Sequence, residues 1–188
     1  EESGDVLEVW DQELVQLGGE VSSARAAAVL ELEPEAARSH AEIAAGERLE
    51  IQYEGPPENL AEAVHNSRAE DLRRGATTVG PHRDDIRVLL GGKQARAYAS
   101  QGQQRTAVVS LKLAEAALVT RRTGERPVLL LDDVLSELDA ERRASLLHQV
   151  AGEGQVIITS AEAGPFPPDL MASATVWMVS EGKIQPCG

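Results

Sequence analysis

The stretch Pro127-Val-Leu-Leu-Leu-Asp-Asp133 constrains this chain more than any other. Four apolar residues follow one another without alternation and lead straight into two acids. A strand with apolar side chains at successive positions is covered on both faces, the usual condition of a strand inside a parallel sheet. Gln155-Val-Ile-Ile-Thr159 has the same character and predicts a second buried strand. Ahead of the first strand, residues 103–121 place Val108, Leu111, Ala114 and Leu118 on one helical face. Residues 139–150 read as a helix between the two strands, and a hairpin around Glu181-Gly182 closes the chain. Helices alternating with fully buried strands define an α/β sheet.

The first third of the chain reads differently. Over residues 5–17, Val6, Leu7, Val9, Trp10, Leu14 and Leu17 recur at helical spacing, with Trp10 expected in the core and Gly18-Gly19 expected to end the helix. Residues 20–46 are Ala-rich and predict one or two more helices, with a break or new start at Pro34. Leu49, Ile51 and Tyr53 alternate with polar residues as in a short strand. Asn59 is placed to cap a helix running to about Arg74. Residues 84–90 and 93–99 flank Gly91-Gly92 as a β-hairpin would. The division expected from this pattern is a mainly helical lobe over residues 1–75 and an α/β part over 76–188.

Charge follows the same division. The net charge is −13, which taken whole argues against a nucleic-acid partner. Residues 1–64, however, hold sixteen Asp and Glu against three Arg, whereas residues 68–112 hold nine Arg and Lys against four acids. Such a step can mark an interaction surface, or a solvated face with local ion pairs. The one cysteine, Cys187, excludes a disulfide framework and suits a reducing cytoplasm. No apolar run approaches the roughly 18 residues of a membrane span.

Two segments carry chemistry. Asp132 and Asp133 stand where the first buried strand ends, at the carboxyl edge where α/β sheets bind ligands. One carboxylate can hold Mg²⁺, a cation that prefers oxygen ligands, and the other can orient or deprotonate an attacking water. The plain alternative is a strand end capped by two acids. Ala99-Ser-Gln-Gly-Gln-Gln-Arg105 opens the long amphipathic helix and offers free backbone N–H groups, a hydroxyl and the positive end of the helix dipole to an anion. Its plain alternative is N-capping by Ser100.

Taken together these segments resemble ABC-type ATPases. Ser100-Gln-Gly-Gln-Gln-Arg105 is similar to the ABC signature, and Asp132-Asp133 followed by Ser136-Glu-Leu-Asp139 is similar to a Walker B strand and its D-loop. Gly80-Pro-His-Arg-Asp-Asp85, with both segments behind it in that order, resembles the RecF family of bacterial DNA-repair proteins. The fold this implies is the C-terminal part of a P-loop ABC-type ATPase head with a mainly helical lobe. The roles it implies are ATP binding by Ser100, Gln101, Gly102, Gln103, Ser136 and Asp139. Ser100 and Gly102 would face the γ-phosphate bound to an opposite subunit, Asp132 would position Mg²⁺, and Asp133 would be the base. The resemblance further implies an ATP-driven homodimer that clamps double-stranded DNA near single-strand junctions, partnership with RecR, RecA loading and the SOS response. Candidate DNA contacts in the basic stretch are Arg73, Arg74, Arg83, Arg87, Lys93 and Arg96. For His82 and Arg83 the simpler reading is a turn with Arg83 paired to Asp84 or Asp85.

The sequence also departs from the ABC pattern. Gln101 replaces a common Gly, Ala99 a common Leu, and Thr159-Ser160-Ala161 lacks the usual switch His, so slow hydrolysis is expected. No Gly-x-x-x-x-Gly-Lys-[Ser/Thr] occurs, so the phosphate cradle would lie N-terminal to these residues, and the chain alone is expected to be inactive. Rival readings are another ABC ATPase, a transporter or SMC-like subunit, and a non-catalytic interaction module.

Overall fold

A computed structural model describes residues 2–136, 138–152, 154–161 and 166–187. The chain forms two compact units, one of residues 1–38 and 47–99, the other of residues 39–46 and 100–188. The first unit thus extends to Ala99. The reason is strand pairing: β1 (Leu49–Glu54) pairs antiparallel with β2 (Asp85–Leu90) along its whole length, which keeps residues 85–94 with the first unit.

In the first unit one helix, α1 (Glu2–Ile43), runs where two or three were expected, and its last residues belong to the second unit. Gly18 does not end it, because Gly18 is buried in a close approach: a Cβ there would stand 3.0 Å from Pro81 Cδ. Pro34 lies on the solvated side of an Ala-rich segment, whose helix propensity carries the helix past the lost hydrogen bond. Trp10 is not core; it is 63% exposed. The helix α2 (Leu60–Arg74) begins as expected, with the Asn59 side chain accepting from Glu62 N–H at 3.2 Å, and ends at Gly75. After Gly91-Gly92 the returning strand β3 is only Lys93–Gln94, and the chain then turns into the short helix α3 (Ala95–Tyr98) instead of extending to residue 99.

In the second unit, α4 (Gln101–Thr123) leads to β4 (Leu129–Asp132), α5 (Ala140–Val150) and β5 (Val156–Thr159). The strands β4 and β5 pair parallel, with Asp132 opposite Thr159. Val109 and Leu113 of α4, Leu131 of β4, Leu135 and Leu138 of the following loop, and Leu146, Leu147 and Val150 of α5 form one buried cluster. Burial of both strand faces is not met among the described residues: Leu130 is 70% and Ile157 49% exposed, on the face of the two-stranded sheet away from that cluster. The buried face of α4 is also rotated from expectation. Val108 is exposed, whereas Thr106 and Ser110 are buried, because each hydroxyl donates to a carbonyl one turn back, Gly102 O at 2.8 Å and Thr106 O at 2.7 Å. A short helix, α6 (Pro168–Ser173), precedes the hairpin of β6 (Val176–Ser180) and β7 (Lys183–Cys187). Its turn has positive φ at both Glu181 and Gly182, as a two-residue hairpin of this twist requires. No helix among the described residues is long and apolar enough to cross a membrane.

Candidate functional site

The parallel pairing of β4 and β5 delivers Asp132 and Asp133 to the carboxyl end of the sheet. Thr159, the last residue of β5, holds both. Its hydroxyl donates to Asp132 Oδ1 at 2.5 Å and accepts the Asp133 N–H at 3.1 Å. Asp132 Oδ2 has no hydrogen-bond partner among the described residues, and both carboxylates are exposed. An exposed single carboxylate with one free oxygen fits Mg²⁺, which keeps several waters and shares its sphere with substrate phosphates. Among the described residues no group of three acidic, His or Cys side chains forms a preassembled metal cage. Asp133 takes φ 49°, the left-handed region that Asp tolerates better than most residues.

The next segment is held tightly. Leu135 and Leu138 are buried in the core, while Ser136 is exposed and its hydroxyl donates to Asp133 O at 2.9 Å. Glu137 lies outside the described residues. Asp139 caps α5, its carboxylate accepting Arg142 N–H at 2.9 Å. Arg143 reaches back to the loop, with Nε donating to Leu135 O at 3.2 Å and Nη2 to Leu138 O at 2.9 Å.

Ser100 is the N-cap of α4 in a reciprocal capping box. Its hydroxyl accepts Gln103 N–H at 3.3 Å, and Gln103 Oε1 accepts Ser100 N–H at 2.9 Å. The capping reading and the anion reading of Ser100 are compatible. The hydroxyl accepts one bond in the cap and retains its own proton to donate, and the first-turn amides of Gln101 and Gly102 have no partner one turn back in the helix. Gln103 is folded onto the cap. Arg142 joins this helix to the loop: Nη1 donates to Thr106 Oγ1 at 3.3 Å and Nε lies 3.5 Å from Asp139 Oδ2.

The cations proposed for DNA contact belong to the first unit and fall into two groups. Arg73 and Arg74 both pair with Glu70, and Arg87 pairs across the strands with Glu54. Arg83, Lys93 and Arg96 are exposed, with no ion-pair partner among the described residues. Arg83 is not bound to Asp84, contrary to the simpler sequence reading. The Asp84 side chain is only 2% exposed and accepts instead from Ser22 at 2.9 Å, from Arg25 at 3.2 Å and from the Tyr53 hydroxyl. Burial, together with the bond to Asp84, pushes the Tyr53 phenol up from its ordinary value. Trp10, Leu14, Leu17, Gly18, Val21 and Pro81 line a shallow apolar groove.

Sequence alone assigns no site role to Arg142, Arg143 or Thr106, and marks Thr159 only as a strand end in a stretch without a switch His. The parallel register opposite Asp132 is the signal that finds Thr159. For the two arginines the only local signal is their place three and four residues after the capping Asp139.

No protein-family model matches the chain. It is 40% identical over 192 residues to the DNA replication and repair protein RecF of Chloroflexus aurantiacus, an overlap of 95% of this chain and 49% of that protein. It is 39% identical to RecF of Synechocystis sp., over 98% of this chain and 51% of that protein. The chain thus spans about half the length of the curated relatives it matches. Among solved structures it is similar to the recombination mediator protein RecF with ATPrS, in the RecFOR pathway, with TM-score 0.77 and 32% identity over 98% of this chain and 51% of that one. A structure from work on ATP-driven dimerization and DNA stimulated activation of SMC ATPases shares the fold, with TM-score 0.54 at 14% identity.

Proposed function

We propose that this chain, which belongs to the RecF family of DNA replication and repair proteins, supplies the signature helix, the Walker B acids and the D-loop of an ATP-dependent DNA clamp. The observation that carries this reading is the strand end where one Thr159 hydroxyl bonds the Asp132 carboxylate and the Asp133 backbone N–H. Asp132, through its free oxygen, would hold Mg²⁺, and the ion would supply charge neutralisation for phosphoryl transfer. Asp133 accepts the proton of the attacking water. Ser100 donates its hydroxyl proton, and Gln101 and Gly102 their amides, to the γ-phosphate of nucleotide held by a second subunit. Ser136 and Asp139 face the same junction.

Two features favour slow turnover. Thr159-Ser160-Ala161, the stretch where a switch His is common, holds no His to back the water. Asp133 is one methylene shorter than the Glu common at that place. ATP thus closes the homodimer on double-stranded DNA near a single-strand junction, and hydrolysis opens it. On the same reading the clamp would work in the cytoplasm with RecR, in RecA loading and the SOS response. The 188 residues hold no Gly-x-x-x-x-Gly-Lys-[Ser/Thr], and on this reading they would not turn over ATP by themselves.

Asp133→Asn in the full-length protein tests the assignment. Retained ATP binding with turnover reduced about 100-fold or more supports it. Unchanged turnover, or turnover by the isolated 188 residues, overturns it.

A further inference from the structure

We infer that Arg142 is a positioning residue that locks the signature helix to the D-loop, so that the two phosphate-facing segments shift as one body. The inference rests on the ATP-clamp reading for its functional meaning, and on the second unit's own geometry for the lock itself. One guanidinium reaches in different directions, with Nη1 donating to Thr106 Oγ1 at 3.3 Å and Nε lying 3.5 Å from Asp139 Oδ2. Thr106 is fully buried and lies one turn after Gly102, whose carbonyl takes the Thr106 proton at 2.8 Å. Movement of Arg142 is therefore felt at the backbone of the signature itself. At the other end, Asp139 caps α5 and terminates the loop that begins at Asp133. Arg143 bonds the carbonyls of Leu135 and Leu138, which ties both ends of that stretch to α5.

The lock continues to α1. Ser110 Oγ donates to Thr106 O at 2.7 Å, and His40 Nδ1 lies 3.1 Å from the same hydroxyl. With the Ser110 proton committed to Thr106, Nδ1 carries the proton and donates to Ser110. His40, Ser110 and Thr106 are all buried, where a lost partner is not replaced by water. A lysine at 142 could keep one of the two contacts but not both, because an ammonium is a point donor rather than a fork.

The test uses the full-length protein with Arg142→Met, Arg142→Lys, Thr106→Val and, as a control that keeps the hydroxyl, Thr106→Ser. Amide hydrogen exchange is read first, without nucleotide. Arg142→Met should speed exchange about fivefold or more at residues 104–110 of α4, and Thr106→Val at residues 139–144, although each change lies on the other element. Thr106→Ser should exchange as wild type. With ATP, Arg142→Met should lower kcat and weaken dimerisation while KM for ATP stays within about twofold, and Arg142→Lys should recover only part of the loss. Faster exchange confined to the substituted helix overturns the lock, as does an Arg142→Met protein whose melting point falls while kcat and dimerisation per folded molecule stay unchanged. If ATP does not dimerise the wild type, the clamp reading fails, and the exchange measurement still decides the lock.

Discussion

Thr159 stands opposite Asp132 across the parallel β4–β5 ladder, and its hydroxyl touches both members of the acidic pair, at 2.5 Å from Asp132 Oδ1 and 3.1 Å from the Asp133 nitrogen. Valine has the shape of threonine without the hydroxyl. Thr159→Val therefore frees the Asp132 carboxylate to rotate and leaves the Asp133 N–H to water. The expected result is a Mg²⁺ requirement shifted to higher concentration and turnover lowered about tenfold, for a stability loss of about 1 kcal/mol. Magnesium titration of ATP hydrolysis by the full-length protein, beside Thr159→Ser as the rescuing variant, reads this out.

Asp133 is the second handle on the same site. Its φ of 49° suits Asp, Asn and Gly and strains a β-branched side chain. Asp133→Asn should leave the melting temperature close to wild type, so that its loss of turnover is chemical. Asp133→Val should cost about 1–2 kcal/mol in urea unfolding as well.

How far the sequence discloses this site depends on whether a feature is local. The run Val128–Leu131 predicts the strand and its acidic end, Asn59 predicts the start of α2, and Ser100 predicts the start of α4, because each is written in neighbouring residues. The tertiary features are not. Gly18 reads as a helix stop until Pro81 is seen lying against it. Thr106 and Ser110 read as the polar side of α4 until their carbonyl bonds and His40 make burial tolerable. Trp10 and Leu130 read as core and are exposed, since apolar periodicity says that a face wants cover, not that the described residues supply it. Arg142 resembles any helix-surface cation until α4 and α5 meet.

The division of the basic stretch into paired and unpaired cations separates two classes of variant. Arg83, Lys93 and Arg96 lack ion-pair partners among the described residues, so each is free to replace counterions on a phosphate backbone. Single Gln substitutions at these positions should each lower the slope of log affinity against log salt by about 1 for duplex DNA. The same change at Arg73, Arg74 or Arg87 should move it less, because those side chains already face Glu70 or Glu54. Fluorescence anisotropy across a salt series, in the presence of ATP, distinguishes the two groups.

Asp71 ties the stability of the first unit to pH. Asp71 is partly buried, which alone would raise its pKa, but hydrogen bonds from Thr78 and Ser67 and the nearby Arg74 outweigh burial and hold it below its ordinary value. Asp71 Oδ1 accepts Thr78 N–H at 2.9 Å and Oδ2 accepts the Ser67 hydroxyl at 3.0 Å. A depressed folded-state pKa means that the unfolded chain takes up the proton first. The stabilisation is therefore complete above the ordinary carboxylate range and is lost as pH falls through the lower folded value. Asp71→Asn should flatten the acid limb of stability against pH while costing about 1 kcal/mol at neutral pH, measured by urea unfolding at several pH values.

The helix capped by Ser100 is proposed to meet nucleotide held by a second subunit. Sedimentation velocity of the full-length protein, with and without ATP, for wild type and Ser100→Arg, tests it most directly. ATP should convert wild type from monomer to dimer and leave Ser100→Arg monomeric, with nucleotide binding to the single subunit retained. If ATP shifts neither protein, or dimerises both alike, Ser100 is only a helix cap and the clamp closed through this helix does not exist.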